Sequence, residues 1–355
     1  MQVTDHLGKA FAWALNNFEL PDGSLLMMTP LSLPASPPAG LLQSLHFQPT
    51  APAQATRLAQ VEMVATLEQL VTRCGWTDQP RPHFPQVWVW SRPQWLEFQI
   101  HLAWALLSST SSVLCCAAKE HGSERLARWP QLSELIIDSQ SKAHCRLLCL
   151  RALGNTHPQL QYWQDLARKG LVHLHPQTQL WTAPGIYGWE KVDVGSLLLC
   201  KHLPTEITGP WADFGCGSGI LLRQLWEQNK YKRSKFQLHG LEIDKRALLA
   251  AEKNLSQVTN LRLHWIDITQ MAHGPRDFQG IVTNPPFHRD TRSAISLGCT
   301  FLEKAAQALS PSGSLYLVAN NSLPYEALLQ RLFSQQKELA RSADFKILWA
   351  KGPQI

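Results

Sequence analysis

Residues 211–219 read Trp-Ala-Asp-Phe-Gly-Cys-Gly-Ser-Gly, and the next turns carry Ile220, Leu221, Leu222, Leu225 and Trp226 at helical spacing. That order predicts a strand, a glycine turn and a helix running from Ile220 to Gln228. Glycine tolerates positive φ and lets a ligand approach the backbone, and the helix N-terminus that follows favours a carboxylate. A lone Gly-x-Gly-x-Gly is weak evidence, so its neighbours matter. The next predicted strand, Phe236 to Leu241, ends on Glu242, 23 residues beyond Gly219. That is one βαβ step, where an acid can accept both hydroxyls of a ribose. A third strand, Leu261 to Ile266, ends on Asp267, placed to accept from an adenine amino group. The apolar run Gly280 to Thr283 forms a fourth. All of these acids fall at the carboxyl ends of strands, where open α/β sheets bind their ligands.

The fourth strand ends on Asn284-Pro285-Pro286-Phe287, with Asn284 standing 65 residues after Gly219. Successive prolines lock φ and force the residue before them into extended geometry, so Asn284 sits on a stiff loop. Its side-chain oxygen and the Pro285 carbonyl can each take one N–H of an exocyclic amine, which aims the nitrogen lone pair at an electrophile. Phe287 offers a ring on which a base can stack. Such a tetrapeptide alone is also an ordinary turn. Combined with the upstream unit it points to methyl transfer onto a planar nitrogen. NAD binding is the competing reading of the first half of the unit. It leaves Asn-Pro-Pro-Phe unexplained, and both the Gly-x-Gly-x-Gly spacing and Asp213 just before it favour S-adenosylmethionine.

Asp213-Phe214-Gly215-Cys216-Gly217-Ser218-Gly219 resembles motif I of the class I S-adenosylmethionine-dependent methyltransferases, and Asn284 to His288 resembles the catalytic loop of their amino-methylating branch. Further segments narrow the resemblance. Pro184 to Tyr187, Val192 to Leu199, Val318-Ala319-Asn320, Leu323-Pro324-Tyr325 and Phe345-Lys346-Ile347 are similar to bacterial 16S ribosomal RNA guanine-N2-methyltransferases, over about residues 181–352. That family usually has glycine where Asp290 stands and threonine where Ser293 stands. The resemblance implies an α/β chain with a Rossmann-like class I methyltransferase fold in residues 181–355. It also implies a degenerate methyltransferase-like α/β domain in residues 1–175, serving substrate recognition or structural support. The cofactor is then S-adenosylmethionine, bound by Asp213, Gly215, Gly217, Gly219, Glu242 and Asp267. Asn284, Pro285 and Phe287 carry catalysis, and Arg289 and Arg292 hold phosphates of ribosomal RNA, the expected partner in the small subunit. The remaining alternatives are large-subunit RNA, an adenine amine, a protein glutamine, or a non-catalytic RNA-binding relative.

Composition agrees with two domains, since 355 residues that are 45% hydrophobic can bury two ordinary cores. Net charge is +6 and uneven. Residues 1–180 carry 13 Lys and Arg against 12 Asp and Glu, whereas residues 181–355 carry 20 against 15. The basic surplus therefore lies with the half that bears the motifs, which suits an anionic substrate.

In the first half, Leu25 to Met28, Val87 to Trp90, Val113 to Ala118 and Leu135 to Ile137 read as strands and Trp95 to Leu107 as a helix. This is again an alternating α/β pattern, with no Gly-x-Gly-x-Gly or Asn-Pro-Pro-Phe. Residues 98–118 lack charge, yet Gln99, His101 and the Ser108 to Ser112 run argue for helix, turn and strand rather than a membrane span. Gly154 to Pro176 reads as a bridge between the halves. Met1 to Asn17 shows no secretory pattern, so the expected location is the cytoplasm. The eight cysteines show no Cys-x-x-Cys spacing and read as reduced, mostly buried thiols. No metal site is expected, His173 and His175 reading as a strand face. Trp88, Trp90, Trp95 and Trp104 read as core, and the cluster Lys230, Lys232, Arg233 and Lys235 as a solvated loop.

Overall fold

The computed structural model describes residues 3–18, 21, 23–27, 46–47, 62–63, 80–91, 94–229, 231, 236–271, 274–286 and 292–354. The chain divides into two compact units. One comprises Met1–His173 with Ala183–Gly185, the other Leu174–Thr182 with Ile186–Ile355.

The first unit holds α1 (Val3–Asn17), β1 (Leu25–Met27), β2 (His46–Phe47), β3 (Glu62–Met63), β4 (Phe84–Trp90), α2 (Trp95–Ser108), β5 (Ser109–Ala118), α3 (Ser123–Ala127), β6 (Ile136–Lys142), β7 (Cys145–Arg151) and α4 (Leu160–Arg168). Its strands run in the order β3-β2-β1-β4-β5-β7-β6. Strand β7 is antiparallel to both β5 and β6, and the other pairings are parallel. Helix α2 is apolar nearly all round because it is buried nearly all round. Trp88, Trp90 and Trp104 are fully buried, as their sequence context predicts, the first two in the cluster with Phe11 and the third in the one against which Trp95 packs half-buried.

Two expectations for this unit are corrected. The serine run placed as a turn is instead the end of α2 and the start of β5, which abut without a break. Two of its hydroxyls are satisfied by backbone carbonyls: Ser109 Oγ donates to that of Ser112 at 2.7 Å and Thr110 Oγ1 to that of Phe84 at 3.1 Å. Nor is Gly154 to Pro176 a mere bridge. It contains α4, whose Trp163, Leu166 and Ala167 are buried in the first core, with Trp104 Nε1 donating to the Ala167 carbonyl at 2.7 Å.

A two-stranded ribbon, β8 (His173–Leu174) and β9 (Trp181–Thr182), marks the stretch of sequence where the chain passes from one unit to the other. The second unit continues with α5 (Val194–Cys200), β10 (Gly209–Phe214), α6 (Ile220–Asn229), β11 (Phe236–Glu242), α7 (Lys245–Asn254), β12 (Leu261–Trp265), β13 (Phe278–Thr283), α8 (Arg292–Ala308), β14 (Leu309–Asn320), α9 (Tyr325–Leu332), β15 (Phe333–Arg341) and β16 (Phe345–Pro353). Its order, β12-β11-β10-β13-β14-β16-β15, repeats that of the first sheet position by position. The chain winds outward from β10 through β11 to β12, then restarts on the other side of β10 with β13. The crevice at the carboxyl ends of β10 and β13 is therefore the topological switch point.

Strands β10, β11 and β13 are buried on both faces, as the interior of a parallel sheet requires. Apolar clusters on the two sides of the sheet are built on Phe214, Phe278 and Leu302 and on Leu222, Leu238 and Val282. Seven cysteines of the chain are described and all are free thiols; Cys74 lies outside the described residues. Burial pushes the Cys200 thiol up to about 12, so it is inert at neutral pH.

Two stability outcomes follow from this packing. A Cβ at Gly280 would lie 2.4 Å from the Trp211 indole, which is itself buried against the sheet. Gly280→Ala should cost about 2 kcal/mol of overpacking, read as a fall in melting temperature of roughly 4–8 °C. The second outcome concerns His239, buried on β11, whose Nδ1 lies 3.0 Å from His264 Nε2. Burial, then the neighbouring His264 and Arg262, pushes its pKa down to about 4. Between pH 6.5 and 4 the unfolded chain takes a proton that the folded chain refuses, so this group's contribution is complete above 6.5 and is lost on acidification. Urea unfolding at pH 7.5 and 5 should show wild type losing roughly 1–2 kcal/mol more than His239→Gln over that interval.

Candidate active site

A cavity of about 340 Å³ opens at the switch point, with Asp213, Gly217, Glu242, Asp267, Asn284 and Pro285 among its lining residues. The sequence places these groups apart by up to 72 positions. The sheet brings them together because each ends a strand or follows one. Trp211 to Phe214 pair in register with Gly280 to Thr283, and Thr283 Oγ1 donates to the Phe214 carbonyl at 2.7 Å. The glycine turn and the Asn-Pro-Pro loop therefore leave the sheet side by side.

Gly215, Gly217 and Gly219 all have positive φ, of 76°, 52° and 88°. Two of them have different reasons to lack a side chain. A Cβ on Gly219 would lie 2.8 Å from Leu255, so close packing against α7 excludes it. A Cβ on Gly217 would meet nothing within 4 Å, so the space beside it belongs to the cavity.

Glu242 ends β11 buried, but it is well supplied with donors. Its Oε2 accepts from Gly217 N at 2.9 Å, and its Oε1 from Ile243 N at 2.8 Å and Asp244 N at 3.0 Å. Burial raises its pKa, opposed by these backbone bonds. Asp213 is different. It is 1% exposed, and neither carboxyl oxygen has a hydrogen-bond partner among the described residues. Burial first, and the nearby Glu242 charge second, push its pKa well above the usual carboxylate range. A buried acid without a partner calls for a cationic or donor group beside it. Asp267 caps a single helical turn, its Oδ1 accepting from Thr269 N at 2.9 Å and Thr269 Oγ1 at 2.7 Å. Strand β12 ends at Trp265, so Asp267 follows it by two residues rather than one.

Asn284 is half-buried, and its amide orientation is defined. Nδ2 donates to Asp193 Oδ2 and to Ser196 Oγ, each at 2.9 Å, which leaves Oδ1 buried without a partner among the described residues. Pro285 is buried beside it and Pro286 is exposed. Phe287, His288, Arg289 and Asp290 lie outside the described residues. Arg292 opens α8, and its side chain, like that of Ser293, lies outside them too. The cluster Lys230, Lys232, Arg233 and Lys235 is likewise outside.

Sequence reasoning gave no role to Asp193, Ser196 and Tyr187, although all three line the cavity. Asp193 is the N-cap of α5, accepting from Ser196 N at 2.7 Å, and its Oδ1 accepts from the Tyr187 hydroxyl at 2.8 Å. The signal available was an aspartate just before an apolar run, an N-cap signature. Nothing in that signature reveals a partner 91 positions away. Among the described residues no group of three or more potential ligands could hold a metal, and no helix is long and apolar enough to cross a membrane.

Residues 177–349 match the family model described as the methyltransferase small domain. The chain is also similar to the ribosomal RNA small subunit methyltransferase C of Acinetobacter baylyi, at 27% identity over 72% of this chain and 75% of that protein. It is 29% identical to the protein of that name from Acinetobacter baumannii strain AYE, over 76% and 80% of the two chains. Both relatives carry the name ribosomal RNA small subunit methyltransferase C, and the likeness runs over about three quarters of this chain. Its fold is that of a T. thermophilus 16S ribosomal RNA N2 methyltransferase solved with S-adenosylmethionine and guanosine. The likeness covers 99% of this chain and 91% of that one, with a TM-score of 0.69 and 20% identity.

The geometry gives the cofactor site a direct test. Gly217→Asp would put a side chain and a negative charge into the space beside the turn, next to Asp213 and Glu242. Isothermal calorimetry should then detect no S-adenosylmethionine binding, while the circular dichroism spectrum stays that of the wild type; normal binding would remove the turn from the site.

Proposed function

We propose that the chain methylates the exocyclic N2 amine of a guanine in small-subunit, 16S, ribosomal RNA, using S-adenosylmethionine. The observation that carries the reading is the Asn284 side chain. Its N–H groups are both engaged, the residue lines the cavity, and its buried oxygen has no partner among the described residues. An acceptor so placed fits the N–H of a planar amine, and the Pro285 carbonyl fits the second N–H.

The residues present also fit the cofactor. Glu242 Oε2 keeps one acceptor position for a ribose hydroxyl, the other three of its carboxylate being taken by backbone N–H groups, and Asp267 stands for the adenine amino group. The Gly215 to Gly219 turn leaves room under the methionine part, whose amino group suits the unpartnered Asp213. Bound S-adenosylmethionine supplies the electrophilic methyl group. Asn284 and Pro285 supply orientation, drawing the nitrogen lone pair out of conjugation and holding it in line, so proximity and alignment account for most of the acceleration. No strong general base is needed, because a methylated amine loses its extra proton readily to water. Phe287 provides a stacking face for a guanine drawn out of the RNA stack, and Arg289 and Arg292 provide cations for the flanking phosphates.

The first unit repeats the strand order of the second but has no glycine turn in its sequence. Its assigned part is to support the catalytic unit and to position folded RNA, with a single cofactor bound per chain. A protein with this substrate works in the cytoplasm.

Asn284→Ala should lower kcat at least about a hundredfold while leaving S-adenosylmethionine affinity unchanged, since the amide acts mainly in the transition state. The assay compares naked RNA, small subunits and large subunits, with mass mapping of the modified base. Unchanged turnover in the variant removes the loop from catalysis, and methylation confined to large subunits moves the substrate.

A further inference from the structure

Both amide hydrogens of Asn284 are committed, one to Asp193 Oδ2 and one to Ser196 Oγ. This matters because an asparagine amide is nearly symmetrical in shape. Turned end for end, Asn284 would face the Asp193 carboxylate with its own oxygen and present N–H donors to the cavity, where they could not accept from an amine. Asp193 forbids that state by charge. Its own place is over-determined: Oδ2 also accepts from Ser196 N at 2.7 Å and Oδ1 from the Tyr187 hydroxyl at 2.8 Å. The position of Ser196 one turn into α5 then lets its hydroxyl take the second Asn284 hydrogen. The residual group, Asn284 Oδ1, stays buried without a partner among the described residues, an unfavourable state that the network holds in place.

We propose that Asp193 is a positioning residue for the methyl acceptor, acting through Asn284, a role that rests on the amine-methylating reading above. It holds the Asn284 oxygen toward the cavity. Through a charge-assisted N–H···O bond it also polarises the amide, making that oxygen a stronger acceptor as positive charge develops on the target nitrogen. The Tyr187 ring, 60% exposed, is held beside the cavity by the same carboxylate. Orientation of the acceptor pair is thereby set by a helix N-cap, not by the Asn-Pro-Pro loop alone.

Asp193→Asn tests this, because asparagine caps a helix as well as aspartate; it removes the charge and keeps one acceptor oxygen for Asn284 and Ser196 N, while its NH2 group can donate to the Tyr187 hydroxyl. In the full chain, kcat should fall about 30-fold while S-adenosylmethionine affinity by calorimetry and KM for RNA stay within about twofold. Ser196→Ala keeps the charge and should lose only about threefold. Introduced into Asn284→Ala, the Asp193→Asn change should have no further effect on single-turnover rate, since its route is gone. A readout free of turnover is the side-chain amide resonance of Asn284 in nitrogen-edited proton spectra. Its downfield proton should move upfield in Asp193→Asn and stay downfield in a control such as His239→Gln. Wild-type turnover in Asp193→Asn, an equal loss in the Asn284→Ala background, or an unmoved resonance would each overturn the proposal. If the amine-methylating reading itself fails, the pattern differs: the wild-type chain does not methylate guanine N2 in any RNA, while the amide resonance still responds to Asp193→Asn.

Discussion

Register between β10 and β13 is the constraint on which the site depends. Phe214 lies opposite Thr283, and the Thr283 hydroxyl closes on the Phe214 carbonyl at the last rung before both chains leave the sheet. A slip of one residue would invert every side chain on β13 and carry Asn284 to the other face. Burial on both faces resists that slip, with Phe278 and Ile281 facing one apolar cluster and Val282 the other. Gly280 is part of the same lock, for its missing side chain is the space the Trp211 ring fills. The geometry of the proposed catalytic site is thus inherited from strand packing, and the loops need only continue it.

Most of this was legible in the sequence because the relevant signals are local. A glycine turn between strand and helix, an acid 23 residues on and a double proline each act over a few neighbouring residues. The acids at 213, 242 and 267 accordingly come together at one cavity. What the sequence hid was long-range pairing. Asp193 and Ser196 lie in a segment whose sequence resembles the methyltransferases, yet their bonds to Asn284 depend on how α5 packs, which no local pattern states. Other segments carrying the same resemblance prove to be framework: Tyr325 is fully buried in the core, and Lys346 pairs with Glu326 at 2.6 Å. The serine run after α2 misled for a related reason, since hydroxyls that usually mark a turn were satisfied by neighbouring backbone instead.

The two units show how much chemistry a common topology leaves open. Both sheets place a switch point at corresponding strands, β1 beside β4 and β10 beside β13. After β13 stands Asn284, its oxygen without a partner among the described residues. After β4 stands Ser91, whose hydroxyl accepts from Ala118 N at 3.1 Å and bonds His121 Nδ1 at 3.1 Å. The same corner of the fold is an open acceptor in one unit and a closed structural joint in the other. Function follows the unspent hydrogen-bonding capacity, not the strand order.

Glu242 shows a related economy at the end of the cavity proposed for the cofactor. Three backbone N–H groups already fix its carboxylate, and one of them belongs to Gly217 in the glycine turn itself. The acid and the turn are therefore one rigid body before any ligand arrives. Rotamer entropy of the glutamate and backbone entropy of the glycine are both surrendered during folding, so a nucleoside bound there as proposed would meet a finished surface rather than one it must assemble. Recognition at this end should be fast and nearly free of conformational lag, with whatever slow step the proposed reaction has lying on the side where its RNA substrate would enter.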